Sequence, residues 1–599
     1  MPESPSETPV AETSAPRELT VRAFVLGAIL ALILGAANAY LGLYAGMTVS
    51  ASIPAAVISM GILRILGRST IFENNVVQTI ASAGEAVAAG AIFTFPALEI
   101  LGHRGDLPYW DITTLCLVGG TLGSLLVVFL RRTFIVTEQL PFPEGRACAE
   151  VLRAGATGGS GAGALAIGGF GAAILKALQD LFGVIPDTFA KAFWLRGAAV
   201  SLSANCSAAL LGVGYIVGIE IAVLVLLGGL IGWGIAIPFV SMAHPEMTTL
   251  DAATAAHRIW ANQTRYLGVG AMLVGGAATI WRLRGAIGRG VIEGMRTLQA
   301  GRSGEKAPRE ETDLATSSVL IAVAACIPAT FLVVQRLGAN QELSLMVAVL
   351  VAIIGFFATA VAGYLSGIVG ASNNPVSGVT IIVLLLISLV LRFVGTSVDI
   401  GPRLAILVGA VVCTAAAMAG DSMHDLATGH HLRATPRALE IAVLSGAIIS
   451  AFLMAPILNL LIRGYGIAGT PSAGEHALAA PQAFLMAKVA QGVFRGGLPW
   501  GTIALGAALA VGLLALDRVL ERRQSRWRTP VMPVAIGLYL PFGLGVTILV
   551  GAAAKALFGK DKVDAVDRGL LVAAGMVAGE ALTGVASGAL ITIGIKLPL

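Results

Sequence analysis

Three polar segments interrupt an otherwise apolar chain of 599 residues. The first is Asn74-Asn75-Val-Val-Gln78-Thr79-Ile-Ala-Ser82-Ala-Gly84-Glu85, which leads into an apolar run ending at Phe95-Pro96. Glu85 therefore falls inside a segment that reads as membrane-embedded. An acid there is costly unless it faces a cavity or a partner, so it is either a cavity acid or an interfacial acid paired with an Arg. Taking a carboxylate out of water penalises its charged form, which suits a group that loads and releases a proton. The second segment is Ser366-Gly367-Ile-Val-Gly370-Ala-Ser372-Asn373-Asn374-Pro375-Val-Ser377-Gly378. Pro375 removes an amide donor and clashes with the preceding turn. Ser372, Asn373 and Asn374 add polar side chains beside the freed carbonyls. This is the composition of an unwound stretch that coordinates an ion or a peptide backbone; a plain turn is the alternative, since Asn-Pro starts turns. The third segment is Gly420-Asp421-Ser422-Met423-His424-Asp425-Leu-Ala-Thr428-Gly429-His430-His431. Asp421 and Asp425 would share one helix face, and His424 can titrate near neutrality. A proton relay or polar gate, a metal site and a solvated loop all fit, although no His-Glu-x-x-His motif is present.

The elements that must hold these segments are membrane helices. Hydrophobic residues make up 56% and charged residues 12% of the chain, with a mean hydropathy of +0.85. Soluble chains carry roughly 25% charged residues, so a single core surrounded by water is excluded. The apolar residues gather in runs of about 20, enough to cross about 30 Å of hydrocarbon. They lack the alternation of a membrane barrel. The 74 glycines read chiefly as close helix packing in lipid. Five scattered cysteines form neither a disulfide framework nor a zinc motif. The net charge of +5 is what cytoplasmic loops contribute and does not point to nucleic acid. No phosphate-binding Gly-x-x-x-x-Gly-Lys-Ser/Thr loop is present, which argues against an ATP-driven pump.

The expected fold is an all-α polytopic membrane protein of about sixteen transmembrane helices, in two related halves with broken or re-entrant segments. Apolar runs lie near 22–42, 45–66, 76–101, 112–130, 161–183, 197–212, 214–240 and 264–282, then 315–335, 344–365, 367–391, 403–420, 438–463, 499–520, 532–557 and 568–593. Stretches 134–153 and 470–498 are too polar to span and read as loops or interfacial helices. Residues 1–18 read as a disordered cytoplasmic tail without the layout of a signal peptide. They precede a first half at 19–282, a basic cytoplasmic loop at 283–314 and a second half at 315–599. Basic clusters follow the even-numbered runs, which places both termini in the cytoplasm of a cell (inner) membrane protein. Gly214-Tyr215-Ile216-Val217-Gly218 repeats as Leu538-Tyr539-Leu540-Pro541-Phe542-Gly543. A run beginning Arg265-Tyr-Leu-Gly repeats as Arg568-Gly-Leu-Leu. Counted by apolar runs, these repeats make the halves parallel.

Several of these motifs also carry a family likeness. Gln78-Thr-Ile-Ala-Ser-Ala-Gly-Glu85 with Ala91-Ile-Phe-Thr-Phe-Pro96, Leu140-Pro-Phe-Pro-Glu144-Gly-Arg, Ala209-Leu-Leu-Gly-Val-Gly-Tyr215, and Ala419-Gly-Asp421-Ser-Met-His-Asp425-Leu-Ala-Thr-Gly429 resemble signatures of the oligopeptide transporter family. The likeness is nearer to its bacterial and yellow-stripe-like branch. The chain departs from the family pattern at His424 and at His430-His431. The resemblance implies proton symport of short peptides, or of metal chelates, across the plasma membrane, and no enzymatic role. On this reading Asn74, Asn75, Gln78, Tyr215, Ser372, Asn373, Asn374 and Pro375 are the substrate-binding candidates. Glu85, Asp421, Asp425 and His424 are the proton-coupling candidates. No cofactor, resident metal or catalytic residue is expected; the partners are a small peptide or metal chelate, protons and the lipid bilayer. An intramembrane enzyme using Asp421, Asp425 and His424 is the less favoured alternative.

Overall fold

The computed structural model describes residues 17–592 apart from 47, 49, 68, 103–106, 157–161, 181, 279–280, 282–307, 372–373, 375, 475–476, 498, 526 and 559–567. α1 (Val21–Ala45) starts where the Thr20 hydroxyl accepts from the Ala23 amide, and it stops at the left-handed Gly46. α2 (Ser52–Ile65) follows. α3 (Ile71–Thr94) opens with a reciprocal cap between Thr70 and Glu73 and runs unbroken through the first polar segment. Next come α4 (Ala97–Ile100), α5 (Tyr109–Arg131), α6 (Pro143–Ala156) and α7 (Ala162–Asp180). Strands β1 (Thr188–Leu195) and β2 (Ala198–Asn205) pair antiparallel, with Thr188 opposite Asn205. Then follow α8 (Ala208–Val217), α9 (Ile219–Gly229), α10 (Ile237–Ala243) and α11 (Ala252–Ile259), and α12 (265–278). The second half comprises α13 (Thr316–Arg336), α14 (Gln341–Val369), α15 (Val376–Phe393), α16 (Gly401–Leu432) and α17 (Pro436–Tyr465). It closes with α18 (Pro481–Arg495), α19 (Trp500–Arg522), α20 (Val531–Tyr539), α21 (Phe542–Phe558) and α22 (Arg568–Thr592).

Among the described residues, 11 helices are long and apolar enough to cross a membrane, and Ser52–Ile65, Ala208–Val217 and Phe542–Leu557 are shorter apolar helices. The chain is thus a helical polytopic membrane protein in which some apolar runs are half-length pieces. The run read at 197–212 is not a span: β2 occupies its first part and α8 begins in its last. Ser201, Ser203 and Asn205 recur with period two there, which a strand tolerates and a lipid-facing helix does not.

α3 and α16 form the centre, buried along nearly their whole lengths. They approach closely because Gly90 has no side chain: a Cβ there would lie 2.4 Å from Thr414 Cα. The two repeated glycine-rich segments both fall at helix breaks. α8 gives way to α9 at Gly218, whose φ is 88°, and α20 gives way to α21 at Leu540-Pro541. These broken helices lie side by side in opposite directions. Gly214 touches Ile548, while Gly228 touches Val534 and Leu538. The expected parallel halves are therefore corrected: the pair runs antiparallel, as repeats of inverted topology do. The stretch read as loops or interfacial helices at 470–498 contains the 15-residue helix α18.

At one end of the bundle the starts of α1, α3 and α13 gather with the ends of α5 and α16. Arg22 pairs with Glu73 at 2.7 Å and Arg131 with Asp313 at 2.6 Å, and Arg309 bonds the Glu18 carboxylate. The Leu314 amide donates to Glu440. Most of the basic loop at 283–314 lies outside the described residues.

Candidate substrate cavity

Of the three polar segments, only the second interrupts a helix. α14 ends at Gly370, where φ is 93°, and the chain passes Asn374 before α15 begins. This crossover lies on α16 at Gly420, where an added Cβ would meet Asn374 Nδ2 at 2.4 Å. Ser366 Oγ donates to the Gly420 carbonyl at 2.8 Å, and Asn374 Nδ2 donates to the Ala362 carbonyl at 3.3 Å. The Phe142 amide, in the turn before α6, donates to the Gly367 carbonyl at 2.9 Å. Glu144, one turn on, lies against Gly370.

Beside this crossover lies a small cavity of about 110 Å³. Both halves line it. Thr48 and Ser50 come from the turn after α1, Glu85 from α3, Asn374 from the crossover and Ser377 from the start of α15. Asp421 comes from α16, Gln482 from the first turn of α18, and Ile536 from α20. Glu85 and Asp421 both line the cavity, on the packed helices α3 and α16, and Glu85 Oε2 is buried without a hydrogen-bond partner among the described residues. Ionised carboxylates only accept hydrogen bonds, so the two acids can bond directly only by sharing a proton. No Lys or Arg lines the cavity among the described residues. Asn374 Oδ1 and Gln482 Oε1 are buried acceptors with no hydrogen-bond partner among the described residues, and such atoms normally meet water or ligand.

The other sequence candidates are placed differently. Asp425, one turn beyond Asp421, is fully buried behind the wall. Its Oδ1 accepts from Gln78 Nε2 and, at 3.2 Å, from Ser52 Oγ, which also reaches Ser82 Oγ. His424 is likewise buried, and both ring nitrogens meet backbone. The Gly145 amide donates to Nδ1 at 3.0 Å, which leaves the proton on Nε2 to donate to the Ser366 carbonyl at 3.0 Å. The imidazole thus pins α6 and α14 to α16. Asn74 accepts from Ser59 Oγ and donates to the Thr70 carbonyl. Asn75 is buried near Gly429 with neither side-chain atom hydrogen-bonded. Tyr215 lies away from the cavity, packed on Gly569 and under Lys555 Nζ at 5.9 Å. Ser372, Asn373 and Pro375 lie outside the described residues. Sequence reasoning missed Gln482, Thr48 and Ser50, which stand in segments without a periodic or charged signal. The described residues contain no group of three or more His, Cys, Asp or Glu side chains placed to hold a metal ion.

Two comparisons bear on this arrangement. A model of the OPT oligopeptide transporter protein family matches residues 18–591. A Haemophilus influenzae protein named "Putative oligopeptide transporter" is 35% identical over 583 residues, covering 91% of each chain.

Proposed function

Because the chain belongs to the oligopeptide transporter family, we propose that it is a proton-coupled secondary transporter of short peptides in the cell membrane. Glu85 and Asp421 together carry the coupling proton. The observation that supports this most is the pair itself: buried Glu85 and half-buried Asp421 share one cavity, which no Lys or Arg among the described residues lines. Like charges so close cannot both ionise cheaply, so the pair retains a proton until substrate or water changes its surroundings. A peptide's ammonium end offers that change, since a cation beside the pair favours its ionised form. Asn374 and Gln482 then meet the peptide backbone with their unsatisfied oxygens. Asp425 supports the site from behind, held by Gln78 and Ser52. His424 holds the helices in place and carries no proton in the cycle.

Reconstituted protein provides the test. Uptake of a labelled tripeptide is measured with and without an inward proton gradient, for the native chain and for Glu85→Gln. The amide imitates the protonated acid, so exchange should survive while gradient-driven accumulation disappears. Normal accumulation by Glu85→Gln refutes the assignment. Uptake of a metal–chelate complex instead of peptides would move the cargo to the yellow-stripe class.

A further inference from the structure

Arg265, at the start of α12, is a buried cation with no acidic partner among the described residues. It is 5% exposed, and among the described residues its one hydrogen bond runs from Nη2 to the Tyr539 hydroxyl at 2.7 Å. Its Nε has no acceptor. Aromatic rings take the place of a carboxylate: the guanidinium carbon lies 3.8 Å from the centroid of Phe484, 4.4 Å from Trp260 and 4.8 Å from Tyr539. Ring quadrupoles attract a cation but do not neutralise it. A second cation stands on the same ring, with Lys488 Nζ 5.3 Å from the Phe484 centroid. Two partly desolvated cations around one ring repel each other and strongly favour an anion between them.

The cage residues stand behind the cavity, and two of their elements, α18 and α20, also contribute to its wall. The Tyr539 hydroxyl donates to the Pro481 carbonyl, and the next residue, Gln482, lines the cavity. Ile536, one turn before Tyr539 on α20, lines it too. Among the described residues the cavity carries acids and no cation, yet a free peptide brings one charge of each sign.

We propose that Arg265, assisted by Lys488, recognises the C-terminal carboxylate of the peptide substrate. Tyr539 is the contact exchanged as the carboxylate takes up the guanidinium's donors. The carboxyl pair and the caged cation then select zwitterionic peptides with free ends. This inference rests on the peptide-transport reading above and adds the recognition of one terminus.

The experiment compares binding of trialanine and its C-terminal amide to the full chain in neutral-lipid nanodiscs, for native protein, Arg265→Gln, Arg265→Lys and Lys488→Gln. A charge-assisted hydrogen bond to a carboxylate predicts about a tenfold or greater preference of native protein for the free acid. Arg265→Gln should lose that preference by weakening the acid alone, and Arg265→Lys should restore part of it. A folded Arg265→Gln that keeps the preference overturns the proposal. Should that variant not fold, Lys488→Gln reads the same ratio: a reduced preference supports the proposal and an unchanged one overturns it. Equal binding of acid and amide by native protein refutes this inference alone, whereas binding of neither refutes the peptide reading with it. If added phosphatidylglycerol abolishes the acid preference by occupying the cation, the charge serves a lipid headgroup and the proposal falls.

Discussion

Replacing His424 separates a structural role from a role in proton transfer. The imidazole accepts from the Gly145 amide and donates to the Ser366 carbonyl, each at 3.0 Å and out of contact with water. His424→Ala leaves both backbone groups buried and unsatisfied, at about 1–3 kcal/mol apiece, so the loss is about 2–6 kcal/mol before any cost of the void. The Gly145 end anchors α6, and the Ser366 end anchors the α14 terminus that leads into Asn374. Both connections should loosen together. His424→Gln is the informative companion, because an amide has one acceptor and one donor at similar reach and can restore both bonds. Thermal unfolding of purified protein should therefore rank native above His424→Gln, with His424→Ala clearly lowest. In proteoliposomes His424→Gln should still accumulate peptide against its gradient when the proton gradient is applied. If His424→Gln is as stable as native protein yet accumulates no substrate, the imidazole carries the proton and the structural argument is wrong.

Other expected outcomes follow from the same geometry. Asp421→Asn should behave as Glu85→Gln does, retaining exchange and losing gradient-driven accumulation in the same vesicle assay, because either amide fixes the shared proton in place. Gly90→Ala sets a methyl 2.4 Å from Thr414 Cα and should cost about 1–3 kcal/mol through overpacking. Gly61→Ala, with open space around it, should leave the unfolding temperature unchanged or slightly higher. Asn374→Ala should weaken peptide binding several-fold while leaving the melting temperature of the unliganded protein nearly unchanged; a large drop in melting temperature would make Asn374 structural. Ser303→Cys, placed in the basic loop on a Cys206→Ala background, should react with an impermeant thiol reagent only from the cytoplasmic side, since the other native cysteines are buried. Labelling from outside intact cells would reverse the orientation.

Composition alone settled that this chain lives in a bilayer and is helical. Charged residues this scarce, and apolar runs this long, have no other stable arrangement, because lipid offers backbone groups no partner outside a helix or a closed barrel. The acids were legible for the same reason: Glu85, Asp421 and Asp425 are conspicuous where charge is expensive, and their motifs carry a family likeness. Their division of labour was not legible. Asp421 and Asp425 share a helix face, yet a single turn separates a cavity acid from one sealed behind Gln78 and Ser52, and that depends on which helix packs opposite. Tyr215 stood out through its repeat, which marks a helix break, and the fold sets it away from the cavity, against Gly569. The antiparallel pairing of the two broken helices was hidden for a related reason: apolar runs were counted as whole spans, and several of them are half-length pieces. Arg265 was visible in the sequence only as the first residue of a repeated run. That it meets no acid among the described residues is a property of the folded chain, since Phe484 and Tyr539 converge on it from α18 and α20, and no spacing along the chain encodes such a meeting.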